Sequence, residues 1–420
     1  MNRRDFVKAF AAIGAFASAR TRTALAATES PVPASDSWSG WQSGHFQIHA
    51  IYTGVAESIF LVYPDGTSLL IDCGDHPAHT RGKLAVPILP DLTKHSGARI
   101  AEYVRKVNPR GSEVDYFLLT HYHSDHAGSY GYHAGFSPDF KYVKSGLGEA
   151  IETLSFGKVV DRAWPTFDDP LPVSENADGR LLANLKEVYA ELRRRGTEIE
   201  RFRLEAGSDQ LRPLHGGADA FSVRALSANG RLLAPDGSVV DLYAAEKAAG
   251  RLSKVNENMM SIGLRFDFGC FGFYTAGDFS DGGGRREARM AEVCGRVDVA
   301  KINHHGHHSM PEGLVRALGA RVYLACIWDQ LHVTRDAMRR IAAGSAPNRP
   351  LLAPGVFTEE RRREDADEKW KQDVAQETFG GAHVVVDVPP GGAEYTVSFI
   401  SPCDDDLRIL GERRFRSVKS

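Results

Sequence analysis

Residues 121–126 carry a dense set of side chains that bind metal ions. The segment reads HYHSDH, which places three imidazoles and one carboxylate within six positions. Imidazole nitrogen and carboxylate oxygen suit a borderline cation such as zinc. We expect His121 and His123 to bind one ion, while Asp125 and His126 bind a second. The alternative is a surface histidine cluster without a ligand, which the two motifs downstream disfavour.

Both downstream motifs follow short apolar runs. Residues 273–278 read FYTAGD, and the carboxylate of Asp278 at the end of this run can bridge two cations. Residues 299–309 read VAKINHHGHHS. We expect His304 to bind metal and His305 to support it from behind, because adjacent residues leaving a strand point to opposite faces. The three motifs together supply the four to six ligands of a dinuclear site.

The elements that position these motifs are strands and amphipathic helices. Residues 114–119 read VDYFLL, which predicts a buried strand with the histidine-rich motif at its C-terminal end, where ligands gather in α/β layers. Helices are predicted at about 95–108 and about 180–195, the second with apolar residues at helical spacing. Strands are predicted between about 45 and 72 and at 221–226.

The order of the ligand motifs resembles that of the metallo-β-lactamase superfamily. The segment 69–74, LLIDCG, is similar to the family's Leu-Ile-Asp-x-Gly turn, and residues 255–266 resemble the Asn-x-x-Ser strand of one branch. That branch contains the hydrolase-like domain of competence DNA-uptake proteins, and phosphorylcholine esterases resemble it. The branch's tail is also similar: a strand at 321–325, a helix near 335–343, and closing strands near 384–388 and 395–400.

This resemblance implies an α+β fold, a four-layer αββα sandwich with insertions. We expect the domain to span residues 45–402, with an insertion around 135–215, a linker at 27–44 and a C-terminal tail at 403–420. The aromatic and proline residues of 135–178 predict either a cover over the mouth of the site or a packing flap without substrate contact. Cys73, in the turn at 72–74, is expected either near the metals or as a small buried side chain.

Two departures from the branch bear on function. The chain has residues 52–58, YTGVAES, where the DNA-uptake proteins carry an acidic Gln-Gly-Asp segment, and His123 where they usually carry Asp. Both departures weaken the expectation of a nuclease. The superfamily's third histidine on the first metal also lacks an evident match, and the candidates left open are His133, His215 and Asn258.

The chemistry implied is hydrolysis by a metal-bridging hydroxide, held at neutral pH by two cations per chain. We expect zinc, with iron or manganese as alternatives. Asp125 is expected to bind metal and to orient the hydroxide, while His332 resembles a pocket residue of the branch and would donate to the leaving group or the oxyanion.

The N-terminus resembles a twin-arginine export signal. Arg3 and Arg4 precede a mildly apolar run, and Ala26 ends a small-residue cleavage site, which predicts a signal peptide at 1–26. The apolar run is shorter than the roughly 20 residues that a membrane span needs. We therefore expect the twin-arginine translocase as a partner, a periplasmic mature protein and no membrane span.

The composition is ordinary for a globular protein, with 42% hydrophobic and 25% charged residues and a formal net charge of −3. The arginine triplets at 193–195 and 361–363 are short and interleaved with acidic residues, so we expect no stable nucleic-acid complex. Five widely spaced cysteines without a C-x-x-C motif do not predict a disulfide framework.

Three functions remain open at this level. The leading hypothesis is an exported hydrolase of a phosphodiester or related ester. The second keeps the chemistry but takes a lactone or amide, including a β-lactam. The third is a non-catalytic metal-binding module, or an iron oxidoreductase with the same ligands. The superfamily's flavin-linked di-iron members have Glu in place of His123 and an attached flavodoxin-like domain; neither occurs here, which disfavours the oxidoreductase.

Overall fold

The computed structural model describes residues 37–77, 86–170, 179–201, 208–217, 219–251, 257–280, 285–329, 332–354, 365, 367–377 and 379–419. The expected signal peptide at 1–26 and most of the expected linker at 27–44 lie outside this described part of the chain. Within it, the strands form two large β-sheets that are flanked by helices.

The first sheet has nine strands in the described residues. Its strands are β1 (Phe46–Ala50), β2 (Ile59–Val62), β3 (Ser68–Ile71), β4 (Glu113–Leu119), β5 (Ser155–Asp161), β6 (Glu198–Arg201), β16 (His383–Val388), β17 (Glu394–Ile400) and β18 (Ile409–Arg416). Their spatial order is β18-β17-β16-β1-β2-β3-β4-β5-β6. The strands from β18 to β3 pair antiparallel, and those from β3 to β6 pair parallel.

The second sheet also has nine strands in the described residues. They are β7 (Phe221–Ala228), β8 (Arg231–Leu233), β9 (Val239–Asp241), β10 (Gly263–Phe268), β11 (Phe271–Thr275), β12 (Val299–Lys301), β13 (Val322–Leu324), β14 (Leu351–Ala353) and β15 (Ala375–Gln376). Their spatial order is β15-β14-β13-β12-β11-β10-β7-β8-β9, parallel from β11 to β15. Because β11 and β12 are parallel neighbours, the two downstream ligand motifs leave the same edge of this sheet.

The helices cover the outer faces of the two sheets. They are α1 (Ser96–Val107), α2 (Ser124–Ala127), α3 (Leu147–Ala150), α4 (Gly179–Arg194), α5 (Ala244–Ala248), α6 (Arg285–Ala291), α7 (Glu312–Leu318), α8 (Arg335–Ser345) and α9 (Trp370–Asp373). Buried residues of α1, α3 and α4 share one core with the first sheet, and those of α6, α7 and α8 share another with the second. The layers are therefore α, β, β and α, which confirms the expected α+β sandwich.

A third core lies between the sheets. Phe46 of β1 is fully buried there, and its ring lies 5.1 Å from the ring of Phe221 and 6.0 Å from that of Phe266 across the interface. Burying one such side chain contributes about 1.5–3 kcal/mol. The rigid interface fixes the edge of one sheet against the edge of the other, and the ligand motifs leave from both edges.

Several predicted elements are confirmed with small shifts of their ends. The helix expected at 95–108 is α1, and the one expected at 180–195 is α4. The strand expected at 221–226 extends to Ala228, and the helix near 335–343 and the closing strands correspond to α8, β16 and β17. Among the described residues, no helix has the length and apolarity to cross a bilayer.

Two segments differ from the expectations. Residues 403–420 were expected as a tail, but Ile409–Arg416 forms the edge strand β18. This strand is rich in charge, as solvent-facing edge strands are, and Phe415 anchors it on the ring of Tyr395 at 5.2 Å. The expected insertion around 135–215 contains β5 and β6, which extend the first sheet beyond β4. Its aromatic residues Tyr142, Phe156 and Phe167 are buried in the core beneath α4.

Candidate metal centre

The histidine-rich loop after β4 is fixed by a carboxylate from the turn after β3. Asp72 accepts a hydrogen bond from the backbone N–H of Thr120 at 2.8 Å and another from its hydroxyl at 2.7 Å. The same carboxylate lies 2.7 Å from Nδ1 of His126. Since Nδ1–H donates to Asp72, Nε2 of His126 is left free to bind a cation. The Asp-x-Gly turn therefore supports the site, as the resemblance implied.

Gly74 lets this turn approach the ligand loop. A Cβ added at Gly74 would lie 1.8 Å from the backbone oxygen of Asp125, so no other residue fits there without moving the loop. The contact continues through the backbone, because the N–H of Asp75 donates to the carbonyl of Ser124 at 2.9 Å. Glycine is therefore needed at position 74, because any side chain there would displace the backbone of Asp125.

The first group of potential ligands consists of His121, His123 and Asp278, whose ligand atoms lie within 4.8 Å of one another. Nε2 of His121 is 3.2 Å from Nδ1 of His123 and 3.8 Å from Oδ2 of Asp278. Two nitrogens that bind one zinc ion at about 2.0–2.1 Å in tetrahedral geometry lie about 3.3 Å apart. The two histidines therefore have the spacing of a ligand pair.

The second group consists of His126, Asp278, His305 and Glu57. Nε2 of His126 faces Oδ1 of Asp278 at 3.3 Å, and Nε2 of His305 faces Oδ2 of Asp278 at 3.4 Å. Asp125 borders this group, with Oδ2 at 3.1 Å from Nε2 of His305 and 3.8 Å from Nε2 of His126. Because Asp278 belongs to both groups, it is placed to bridge two cations.

The pair His304 and His305 differs from the expected order. His305 is buried inside the carboxylate cluster, and its Nδ1–H donates to the carbonyl of Cys326 at 2.8 Å, which leaves Nε2 turned toward Asp125 and Asp278. His304 lies at the edge, with Nε2 at 3.9 Å from Asp278. The alternation rule failed because both residues have positive φ, 46° and 50°, and have already left strand geometry.

Glu57 and Lys301 lie behind the second group. Their charged atoms are 2.6 Å apart, and Nζ of Lys301 also donates to the carbonyl of Gly277 at 2.7 Å and lies 3.7 Å from Oδ1 of Asp278. Glu57 faces His305 from its Nδ1 side, at 3.5 Å, opposite the nitrogen that faces the cluster. Glu57 is therefore placed as a partner of Lys301 rather than as a ligand.

The sequence reasoning singled out neither residue of this pair. A signal was available, because each interrupts an apolar segment: Lys301 in VAKI at 299–302 and Glu57 in VAESIF at 55–60. A charge within a buried strand or its flank requires a partner of opposite sign.

The charges of the cluster shift the pKa values of its groups in opposite directions. Burial alone would lower the pKa of His126, but Asp278, Asp125 and Asp72 together raise it well above its usual value. Burial would likewise raise the pKa of Asp278, but His305 and His126 hold it well below its usual range. Burial lowers the pKa of His121 well below its ordinary value, with His126 adding to the effect. The Asp278 carboxylate is therefore ionised, as a metal ligand must be.

A cavity of about 510 Å³ opens onto this cluster, and His332 lines it. The ring of His332 stacks on that of His305 at 4.6 Å. Its Nδ1 accepts from the backbone N–H groups of Trp328 at 3.4 Å and Asp329 at 3.3 Å, so the proton of the neutral ring is on Nε2. Burial, with His305 adding to the effect, holds the pKa of His332 well below its usual value. His332 is therefore placed as a neutral N–H donor.

The region expected to cover the site contributes little to the cavity. None of the described residues 135–170 lines the cavity, whereas Tyr130, just after the ligand loop, and Leu181, in the first turn of α4, line it from either side of that region in the chain. The guanidinium of Arg180 lies 5.6 Å from the ring centre of Tyr130. The packing-flap alternative thus describes the buried aromatics, while α4 supplies one wall of the cavity.

Two of the three candidates for the third ligand of the first metal lie elsewhere. His133 packs on the ring of Phe136 at 5.2 Å and accepts from the N–H of Gly135. His215 lies 3.2 Å from Asp115 and 3.1 Å from Arg110. Neither lines the cavity, whereas Asn258 does.

The described residues fit divalent cations. Facing atoms of His126 and Asp278 are buried without hydrogen-bond geometry, and Oδ1 of Asn258 is buried without a partner. Buried polar atoms are rarely left in this state, and a cation bound by imidazole and carboxylate accounts for them. The donor set of nitrogen and carboxylate oxygen suits zinc, iron or manganese.

Residues 52–135 match the family model described as the Metallo-beta-lactamase superfamily. The matched segment includes the turn at Asp72 and the whole HYHSDH loop, so the superfamily's sequence pattern and the metal-binding geometry coincide in this part of the chain. Members of that superfamily are mostly metal-dependent hydrolases. No curated protein matches the chain.

Two solved structures are similar to the chain over much of its length. One is a point mutant of the CmlA beta-hydroxylase, 13% identical with a TM-score of 0.37, covering 82% of this chain and 54% of that one. The other is CmlA, a diiron beta-hydroxylase from Streptomyces venezuelae, 14% identical with a TM-score of 0.35, covering 70% and 46%. The chain thus spans about half the length of these two proteins.

Proposed function

We propose that this chain is an exported metal-dependent hydrolase that acts on a phosphodiester or a related ester. One observation carries the proposal: two groups of metal-binding side chains share Asp278 at a cavity that His332 also lines. When bound at such a site, two divalent cations supply a hydroxide nucleophile at neutral pH and polarise the substrate oxygen. We assign His121, His123, Asp125, His126 and Asp278 to metal binding as expected, and we place His305 there instead of His304 because of its geometry.

The roles of the side chains follow from their positions. Asp278 faces ligand nitrogens from both groups and would be the carboxylate shared by the two cations. Asp125, 3.1 Å from His305 and lining the cavity, would bind metal and orient the nucleophile. His332 carries its proton on Nε2 and donates to the developing negative charge or to the leaving group.

The substrate class and the location rest on sequence patterns. The similarity of residues 255–266 to the branch with DNA-uptake proteins and phosphorylcholine esterases supports a phosphodiester over a lactone or amide. The twin-arginine pattern at Arg3 and Arg4 supports export of the folded protein to the periplasm. Zinc is the first choice for both cations.

The test combines metal content with turnover. The purified protein would be assayed for metal ions per chain and for cleavage of bis(p-nitrophenyl) phosphate, a p-nitrophenyl carboxylic ester and a chromogenic lactam. Two ions with phosphodiester cleavage support the proposal, while lactam cleavage alone would move it to the amide class. Two ions without any turnover would favour a metal-binding module.

A matched variant separates the donor from the metal site. His332→Phe keeps a ring to stack on His305 but removes Nε2–H. We expect kcat to fall by about 10²–10³, the usual cost of one oxyanion donor, while the metal content stays at the wild-type level. An unchanged kcat would remove His332 from the reaction.

A further inference from the structure

The first group of ligands has only two members of its own, His121 and His123, because Asp278 is shared with the second group. Catalytic zinc ions are commonly held by three protein ligands, so a third ligand belonging to the first ion alone would complete this site beside the bridging carboxylate. The superfamily pattern expects a further histidine here, and His133 and His215 both lie away from the cavity. A third ligand that belongs to the first ion alone would therefore come from another type of residue.

Asn258 lies at the cavity and has a side-chain oxygen without a hydrogen-bond partner, as this role requires. It is 6% exposed and lines the cavity with His123, Asp278 and His304. Its amide Nδ2 donates to Nε2 of His304 at 2.9 Å, which is itself 3.9 Å from Asp278. The opposite atom of the amide, Oδ1, is buried and has no hydrogen-bond partner. A buried carbonyl oxygen without a hydrogen bond destabilises the folded state, and coordination of a cation would offset this cost.

Glu257, the residue before Asn258, connects this segment to the loop that carries His121 and His123. Glu257 accepts the backbone N–H of Tyr122 at 3.0 Å, and Tyr122 lies between His121 and His123 in the chain. The same carboxylate forms a two-pronged ion pair with Arg162, at 2.7 and 2.6 Å. Arg162 and Glu257 are each about 2% exposed, so water does not weaken the pair. One buried carboxylate thus fixes the segment of Asn258 relative to both histidines.

Arg162 is itself held by contacts with three other residues of the fold. Its guanidinium donates to Oδ1 of Asn229 at 2.9 Å and to the carbonyl of Asp169 at 3.0 Å, and it lies 4.7 Å from the ring centre of Tyr122. These contacts of the guanidinium all lie within the protein, and Arg162 is not among the described residues that line the cavity. Arg162 and Glu257 therefore act as positioning residues and not as ligands.

We propose that Oδ1 of Asn258 is the third ligand that belongs to the first cation alone, beside His121, His123 and the shared Asp278, and that the Glu257–Arg162 ion pair holds it in place. The inference rests on the metal site of the proposed function. A neutral amide oxygen is a weaker ligand for zinc than imidazole or carboxylate. The first cation therefore binds more weakly than the second, which has His126, His305, Asp125 and Asp278, and the two ions load in sequence.

The test measures binding of zinc and of cobalt to the full chain, with chelator competition for affinity and visible absorption of cobalt for coordination. We expect the wild type to bind two ions with separable affinities. Asn258→Leu removes Oδ1 at similar volume and should weaken the lower-affinity ion at least tenfold while leaving the other unchanged. Asn258→His should tighten the lower-affinity ion and change its cobalt spectrum.

The controls address folding and position. Asn184→Leu removes a buried asparagine of the same 6% exposure that bonds only within the fold, through Val143, and should still bind two ions normally. Glu257→Gln should weaken binding of the lower-affinity ion and shift its cobalt spectrum, because it weakens the ion pair with Arg162 without removing a ligand. If Asn258→His changed neither the affinity for the lower-affinity ion nor its cobalt spectrum, this result would count against coordination by residue 258.

Two results would overturn the inference: Asn258→Leu binding both ions with wild-type affinity, or a wild type that binds a single ion at saturation. Because stoichiometry and spectrum need no substrate, they remain decisive if no ester is cleaved. A wild type with two ions and no turnover would end the hydrolase proposal while leaving the ligand assignment standing.

Discussion

Lys301 and Glu57 form an ion pair at 2.6 Å in which neither side chain is more than 1% exposed, directly behind Asp278 and His305. Burial alone would lower the pKa of Lys301, but Glu57 and Asp278 raise it, so the ammonium stays charged. It is a fixed positive charge beneath a cluster of carboxylates. The pair links β12 to the loop before β2, and hence one sheet of the sandwich to the other.

Replacing Lys301 by Met should therefore destabilise the fold. The change leaves Glu57 buried without its partner, and breaking a buried pair in this way typically costs about 3–5 kcal/mol. Urea unfolding of the metal-free protein measures the loss. The double variant Lys301→Met with Glu57→Leu removes both charges and should recover much of the stability. Equal stability of the single variant and the wild type would contradict the structural role.

Asp278→Ala should remove metal and activity together while the fold largely survives. Asp278 is the one side chain common to both ligand groups, so its loss opens both sites. Elemental analysis and turnover of the purified variant provide the measurement, with circular dichroism as the check on folding. Lost turnover with two ions still bound would exclude the bridging role.

His305→Ala and His304→Ala should differ in effect. His305 lies 3.1 and 3.4 Å from the two carboxylates, so its removal should release the second cation. His304 lies at 3.9 Å, and its Nε2 already accepts from Asn258, so its removal should weaken binding by about tenfold or less. Chelator competition compares the two variants. A larger loss in His304→Ala would restore the order expected from the sequence.

Asp298 should make stability depend on pH. Burial raises its pKa from 3.8 to about 6, so the unfolded chain ionises first as the pH rises. The contribution of Asp298 to the free energy of unfolding is fully present below pH 4, and it is lost as the pH rises from about 4 to 6. In Asp298→Asn, which does not titrate, the free energy of unfolding should therefore rise relative to wild type by up to about 3 kcal/mol over that range.

Denaturant unfolding at several pH values measures this difference. The carboxylate accepts from the backbone N–H of Gly272 at 2.8 Å and of Val418 at 2.7 Å, and the amide can replace only part of this. The lost hydrogen bond adds an offset that does not vary with pH. A difference between the two proteins that stays constant from pH 4 to 7 would show that Asp298 titrates normally.

Replacing Arg3 and Arg4 by Lys should hold the precursor in the cytoplasm. Twin-arginine translocation depends on the arginine pair, and the net charge of the segment is unchanged by this substitution. Cell fractionation of a tagged chain measures export. The matched control replaces Arg20 and Arg22 by Lys, which lie after the apolar run and should not affect export. Export at the wild-type level with both leading arginines replaced would reject the signal.

The sequence by itself singled out most of the residues that the structure brings together in the candidate metal centre. Three motifs at the ends of apolar runs identified His121, His123, Asp125, His126 and Asp278, because ligand type and local spacing are properties of short segments. The helical spacing of apolar residues likewise predicted α4, and the sequence pattern predicted α1, both within a few positions, while the family resemblance implied the closing strands. These predictions needed no knowledge of which segments meet.

Only the tertiary structure decided what depends on pairing across the chain. It placed His305 rather than His304 among the carboxylates, since two residues with positive φ break the alternation that the sequence argument used. It brought Glu57 to Lys301 and Arg162 to Glu257, over 244 and 95 positions. It also turned the expected tail into β18, whose partner strand no local pattern specifies. Local propensity determines where helices and strands form, whereas a charge can be buried only where a residue distant in the sequence pairs with it.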